Sequence, residues 1–153
     1  FIVGLKNQGK TTVTRELIRT LSGQETRVLA LKHSSHNHPV DKPGSDSDQF
    51  RRAGAILSVF QSPDGTGLYL SPENENLLHS IWPAILDQID LIIVESFSQA
   101  EGPKLLVARD KIPEPLPNGI IATISQEEIL PGVPYFPGVS EGLIDFLKKA
   151  LDF

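Results

Sequence analysis

Residues 4–11 read Gly-Leu-Lys-Asn-Gln-Gly-Lys-Thr and fill every fixed position of G-x-x-x-x-G-K-[ST]. At ordinary residue frequencies such a match arises by chance in about one chain in two hundred of this length, so it carries weight by itself. Its surroundings sharpen it. Apolar Phe1, Ile2 and Val3 precede it as a strand, and Val13, Leu17, Ile18 and Leu21 follow at helical spacing within residues 11–21. Between strand and helix, glycines let the chain curl so that successive N–H groups and the positive helix end face an anion. The segment therefore reads as a phosphate-binding loop, with Gly4, Lys6, Asn7, Gln8, Gly9, Lys10, Thr11 and Thr12 against a nucleotide. Lys10 is the cation for the β- and γ-phosphates, and the Thr11 hydroxyl ligates magnesium.

Magnesium prefers carboxylate and water ligands, so such a loop needs an acidic partner at the carboxyl end of a neighbouring strand. Asp90 and Glu95 bracket the apolar run Leu91 to Val94. At about 3.3 Å per residue they lie roughly 16 Å apart, so only one can serve, and the direction of a parallel strand selects the later one. Glu95 is the expected metal ligand, and Asp90 the end of the preceding turn.

Outward from this point the chain alternates strand and helix patterns. Strands are predicted at 27–32, 56–60, 68–70, 91–95, 105–108 and 120–124, and helices from Ser45 or Asp46 to Ala53, from Ser71-Pro72 to about Gln88 with a kink at Trp82-Pro83, and over 140–151. Alternation of this kind implies an α/β fold, a mainly parallel sheet with helices on both faces, in one domain spanning 1–153. The chain has 153 residues, 39% of them hydrophobic and 22% charged, which fits one core and not two. A net charge of -5 argues against a nucleic-acid binder, and no apolar run approaches the roughly 20 residues that span a bilayer. Neither nucleic acid nor membrane is therefore an expected partner. Cysteine is absent, which removes thiolate metal sites and cysteine nucleophiles.

After the second strand the chain reads KHSSHNHPVDKPGSDSDQFRRAGA over residues 32–55, and its polar stretch from His33 to Asp48 is too long for a mere connection. His33, His36 and His38 match no strong zinc spacing. Asp41, Asp46 and Asp48 are better placed for chemistry, since a carboxylate here could complete a magnesium shell or orient a water; spacing alone does not choose among them. Arg51 and Arg52, on one short helix, read as a solvated face. Glu127 and Glu128, after the late strand, either receive the donors of a guanine base or begin a short helix.

Three segments in order resemble the molybdopterin-guanine dinucleotide biosynthesis protein B (MobB) family: GLKNQGKTT; K-H-[ST]-x-H, D-x-P-G-x-D-S and A-G-A; and VESF followed by PKLLVAR. Lys32, His33, His36, Asp41, Pro43, Gly44, Asp46, Ser47, Gly54, Glu95, Phe97, Lys104 and Arg109 fall on the family's pattern. The resemblance implies a P-loop NTPase of the branch that holds MinD-like ATPases and dethiobiotin synthetase, a cytoplasmic homodimer that binds GTP and Mg²⁺. It implies at most slow GTP hydrolysis, as an adaptor to the molybdenum cofactor guanylyltransferase, with molybdopterin a further partner. Lys10, Asp41 and Asp46 would be catalytic, Asp46 with Thr11 and Glu95 the metal shell, and Lys104 and Arg109 contacts to phosphate or pterin. Two departures stand out. Ser96 follows Glu95 where the family has glycine, which implies that a glycine-only conformation is lost, leaving hydrolysis less secure than binding. Leu5 follows the first glycine where MinD-like ATPases carry a lysine, so activation in trans by that lysine is not expected.

A small-molecule kinase or ATP-dependent ligase on the same fold is the alternative, and the six arginines with no lid segment speak against it. So few residues before Gly4 predict a first strand that has lost its beginning, and the absence of methionine predicts that some have dropped out of the sequence.

Overall fold

The computed structural model describes residues 1–153 and divides into two compact units, Phe1–Ser34 with Gln88–Phe153, and Ser35–Asp87. In the first unit, β1 (Ile2–Val3), β2 (Val28–Lys32), β5 (Leu91–Glu95), β6 (Lys104–Val107), β7 (Ile120–Ile124) and β8 (Tyr135–Phe136) form a sheet ordered β2-β5-β1-β6-β7-β8. Every pairing in it is parallel. Alternation along β6 shows why both faces need cover: Leu105 and Val107 enter one apolar cluster, Leu106 and Ala108 another. Helices α1 (Lys10–Ser22) and α4 (Glu141–Leu151) bury Val13, Leu17, Leu21, Leu143, Ile144 and Leu147 against Ile2, Ile93, Leu105, Val107, Ala122 and Ile124. On the other face Val3, Leu106 and Ala108 pack with Phe1, Ile120, Ile129 and Leu130.

Register brings the first strand and Glu95 together. Ile2 pairs with Glu95 on one side and Leu105 on the other, while Lys32 pairs with Glu95 from β2. Asp90 does end the preceding turn: its carboxylate accepts from the Arg27 backbone N–H and closes a bidentate pair with the Arg27 guanidinium, 2.7 and 3.0 Å. Those bonds from Arg27 hold its pKa down at about 2. A carboxyl held down in the folded chain adds stability above its unfolded pKa of 3.8, lost as pH falls through about 2. The Tm gap between the native protein and Asp90→Asn is thus expected to stay constant above about pH 5 and to close between about pH 4 and 2. A gap that widens in acid contradicts the assignment.

In the second unit, α2 (Asp46–Arg52) precedes an antiparallel hairpin of β3 (Leu57–Ser62) and β4 (Gly65–Leu70), and α3 (Asn76–Leu86) closes it. Residues 72–74, expected as the opening of that last helix, form a separate 3₁₀ turn. Pro83 lies inside an unbroken α3. β8 carried no strand signal, being two residues long.

Candidate functional site

Helix α1 begins differently from the other capped helices. Ser45 and Ser140 cap α2 and α4 with their side chains, accepting from the N–H groups of Asp48 and Leu143. At α1 the cap is Gly9, left-handed at φ 92° and without a side-chain acceptor, and the first turn has no acid. The N-terminal amides are thus left for an anion, the arrangement the glycine-bounded loop predicts. Gly4 enters the loop at φ 144° against the Val107 backbone, and Asn7 adopts φ 63°.

Around this helix end the structure brings together four side chains from three elements. The Thr11 hydroxyl donates to Glu95 Oε1 at 3.1 Å, and Lys32 Nζ meets the same oxygen at 3.3 Å. Glu95 is 5% exposed and its ion-pair partner's side chain 69% exposed. Lys10 folds over its own loop, Nζ donating to the Leu5 carbonyl at 2.7 Å. Burial lowers the Lys10 pKa from its ordinary value, Glu95 opposing the shift and Lys32 adding to it. A hydroxyl and a carboxylate oxygen in contact are the hard donors that suit Mg²⁺, an ion that keeps several waters and needs few protein ligands.

The loop is also latched by the residues that follow β6. Buried Gln8 accepts the backbone N–H groups of Arg109 and Asp110 on Oε1, 2.6 and 3.2 Å. The Arg109 guanidinium lies over Gly9, where an added Cβ would sit 3.0 Å from Nη2. This latch had no sequence signal, since Gln8 occupies a variable position of the motif. Lys104 stands apart from Arg109, at the other end of β6. Its side chain, 2% exposed, donates to the carbonyls of Ala100 and Gly102 at 2.5 and 3.3 Å and lies 5.6 Å from the Phe1 ring centroid. Here it acts as a clamp on the segment that leaves Glu95.

Ser96 corrects one expectation. The left-handed conformation is kept, at φ 69°, and the Ser96 N–H donates to the Ile2 carbonyl at 3.0 Å. Serine therefore carries the backbone strain that glycine would avoid, and its N–H is committed to the sheet. His33 stacks on Phe97 with ring centroids 4.0 Å apart. His36 lies edge-on to His38, and no group of three or more His, Asp or Glu converges as a metal site. After β7 no helix follows Glu127 and Glu128; Glu128 instead accepts the Gly132 N–H at 2.8 Å.

In the second unit Asp41 accepts from the Lys42 N–H and the Ser45 and Ser47 hydroxyls, and these bonds, that from Ser47 foremost, lower its pKa. Asp46, the first residue of α2, is exposed. Asp48 is the buried carboxylate, held by the Gly44 N–H, Arg51 and Arg52 at 3.0, 2.5 and 2.8 Å. The arginine pair is thus this acid's counter-charge; the solvated-face expectation fits only Arg52, whose side chain is 69% exposed, against 20% for Arg51.

A parallel α/β sheet whose first strand runs through G-x-x-x-x-G-K-T into an uncapped helix, with an acid on the adjacent strand touching the threonine, defines a P-loop NTPase fold. Residues 1–126 match the family described as molybdopterin guanine dinucleotide synthesis protein B, and the chain belongs to this MobB family. Among curated relatives, the molybdopterin-guanine dinucleotide biosynthesis adapter proteins of Escherichia coli and Haemophilus influenzae are 36% and 33% identical, over 67% and 76% of this chain. The matches cover 60% and 66% of those proteins, so the chain spans less than two thirds of their length. The fold is similar to the crystal structure of Bacillus subtilis MobB, with a TM-score of 0.71, 21% identity and cover of 97% of this chain and 94% of that one. A second solved structure, of a molybdopterin-guanine biosynthesis protein B, gives a TM-score of 0.70 at 26% identity over 99% and 97%.

Proposed function

We propose that the protein is a GTP- and Mg²⁺-binding adapter in the synthesis of the molybdopterin guanine dinucleotide form of the molybdenum cofactor. The observation that carries this reading is the contact of Thr11 Oγ1 with Glu95 Oε1 beside the free N-terminus of α1. Gly4, Lys6, Asn7, Gln8, Gly9 and Thr12 supply the loop, Lys10 swings from the Leu5 carbonyl to the phosphates, and Arg109 adds charge over Gly9. Thr11 and Glu95 would hold magnesium, which would neutralise phosphate charge there. Asp41 or Asp46, from the sequence pattern, is the further carboxylate for a slow hydrolysis. The adapter role, a guanylyltransferase as partner, molybdopterin as a second ligand, the homodimer and the cytoplasm are part of this proposal, supported by membership of the MobB family.

Competitive binding of GTP, ATP and molybdopterin, each with and without Mg²⁺, tests the reading. Preference for GTP that requires Mg²⁺ is the expected result. Preference for ATP with phosphate transfer to a small acceptor would replace it by the kinase or ligase reading, and absence of nucleotide binding would end both.

A further inference from the structure

Glu95 Oε1 has two partners, the Thr11 hydroxyl and the Lys32 ammonium. A carboxylate oxygen offers two lone pairs, so both are engaged. Thr11 is itself one of the oxygen ligands of the proposed magnesium site, and Lys32 is not: an ammonium has donors only and repels a divalent cation. A metal that takes Oε1 together with Thr11 Oγ1 must therefore displace Lys32. The geometry of the lysine suits such an exchange. Its backbone is fixed in β2 by the Lys32–Glu95 register pair, whereas its side chain is mostly solvent-exposed on a flexible four-carbon stem.

We propose that Lys32 is a built-in competitor for the divalent cation, occupying Glu95 Oε1 and yielding it when metal loads. The inference rests on the nucleotide-site reading and deepens it. Lys32 and Thr11 together hold the buried Glu95 carboxylate in place. Displacement leaves two lysines, Lys10 and Lys32, beside a site that has just gained two positive charges. Such a concentration of charge suits a nucleoside triphosphate of about -4 and disfavours metal without nucleotide. The exchange thus couples metal occupancy to nucleotide occupancy through one side chain.

Mn²⁺ binding to the nucleotide-free protein, followed by the loss of the free-ion electron paramagnetic resonance signal, tests this without reference to turnover. Lys32→Gln is expected to bind Mn²⁺ about three- to fivefold more tightly than the native chain, the size of an exposed ion pair of up to about 1 kcal/mol. Lys32→Arg, which keeps the competing charge, is expected to restore native affinity. Lys149→Gln removes an exposed lysine on α4, outside the site, and controls for net charge. Unchanged or weaker binding in Lys32→Gln overturns the proposal, as does an equal gain in Lys149→Gln. Glu95→Gln separates the two levels of the argument. If it leaves Mn²⁺ binding to the nucleotide-free protein intact, the metal is not at Glu95 and the magnesium assignment itself falls; if it abolishes binding while Lys32→Gln has no effect, only the competitor role falls.

Discussion

Lys10→Ala is expected to bind GTP·Mg²⁺ at least a hundredfold more weakly than the native protein while keeping its fold. Truncating one member of a desolvated, hydrogen-bonded charge pair costs about 3–4 kcal/mol, and each 1.4 kcal/mol is tenfold in affinity. The fold has little to lose. The Lys10 ammonium donates to the Leu5 carbonyl alone, and burial already disfavours its charged form. The helix bond from Thr14 Oγ1 goes to the Lys10 backbone carbonyl, which the substitution leaves in place. Titration with a fluorescent GTP analogue, paired with thermal melting, reads both effects. Unchanged affinity would remove the phosphate-loop assignment.

Gly4→Ala is expected to do the reverse and destroy the scaffold. At φ 144° an alanine is strained by about 1–3 kcal/mol wherever it sits, and here the new Cβ would overlap the Val107 carbonyl oxygen. Val107 is 1% exposed in the middle of the core, so its backbone cannot step aside without breaking the pairing of β6 with β7. Together these should exceed about 3 kcal/mol, a large share of the 5–15 kcal/mol that typically holds a domain folded. A urea midpoint lowered by more than about 1 M is the expected measurement. Gly132→Ala is the comparison: its φ of 74° is also left-handed, yet nothing lies within 4 Å of the added carbon, so only the strain should appear. Equal midpoints for the two variants would show that the close approach at Gly4 is relaxed in solution.

What the sequence disclosed, and what it withheld, follows from how local each cause is. The loop, α1 and the Glu95 strand were legible because a motif of eight residues, a helical stripe and an apolar run each act within a few residues. Choosing Glu95 over Asp90 needed only chain direction. Asp48 stands out in the sequence no more than Asp41 and Asp46, because its burial among Gly44, Arg51 and Arg52 has no signature in spacing. The same holds for Lys104: the family pattern marked it, but only coordinates show it turned to the carbonyls of Ala100 and Gly102. Ser96 was misjudged through propensity. Residues other than glycine disfavour φ near 69°, yet the bond to the Ile2 carbonyl and the pairing on either side hold it there. For the choice between Asp41 and Asp46, geometry adds only that the first is fully occupied by its own turn and the second faces solvent.

The segment from Ser96 to Pro103 is anchored at both ends, by the Ser96 N–H on Ile2 and by Lys104 on its own loop carbonyls. A connection of this length left loose would have to surrender its freedom each time the acid at its start engaged a ligand, at about 1–2 kcal/mol for every residue stilled. Pinned in advance, it has met that entropy cost during folding. The carboxylate of Glu95 thereby behaves as a fixture of the sheet, and the freedom that remains in the site is concentrated in two lysine side chains.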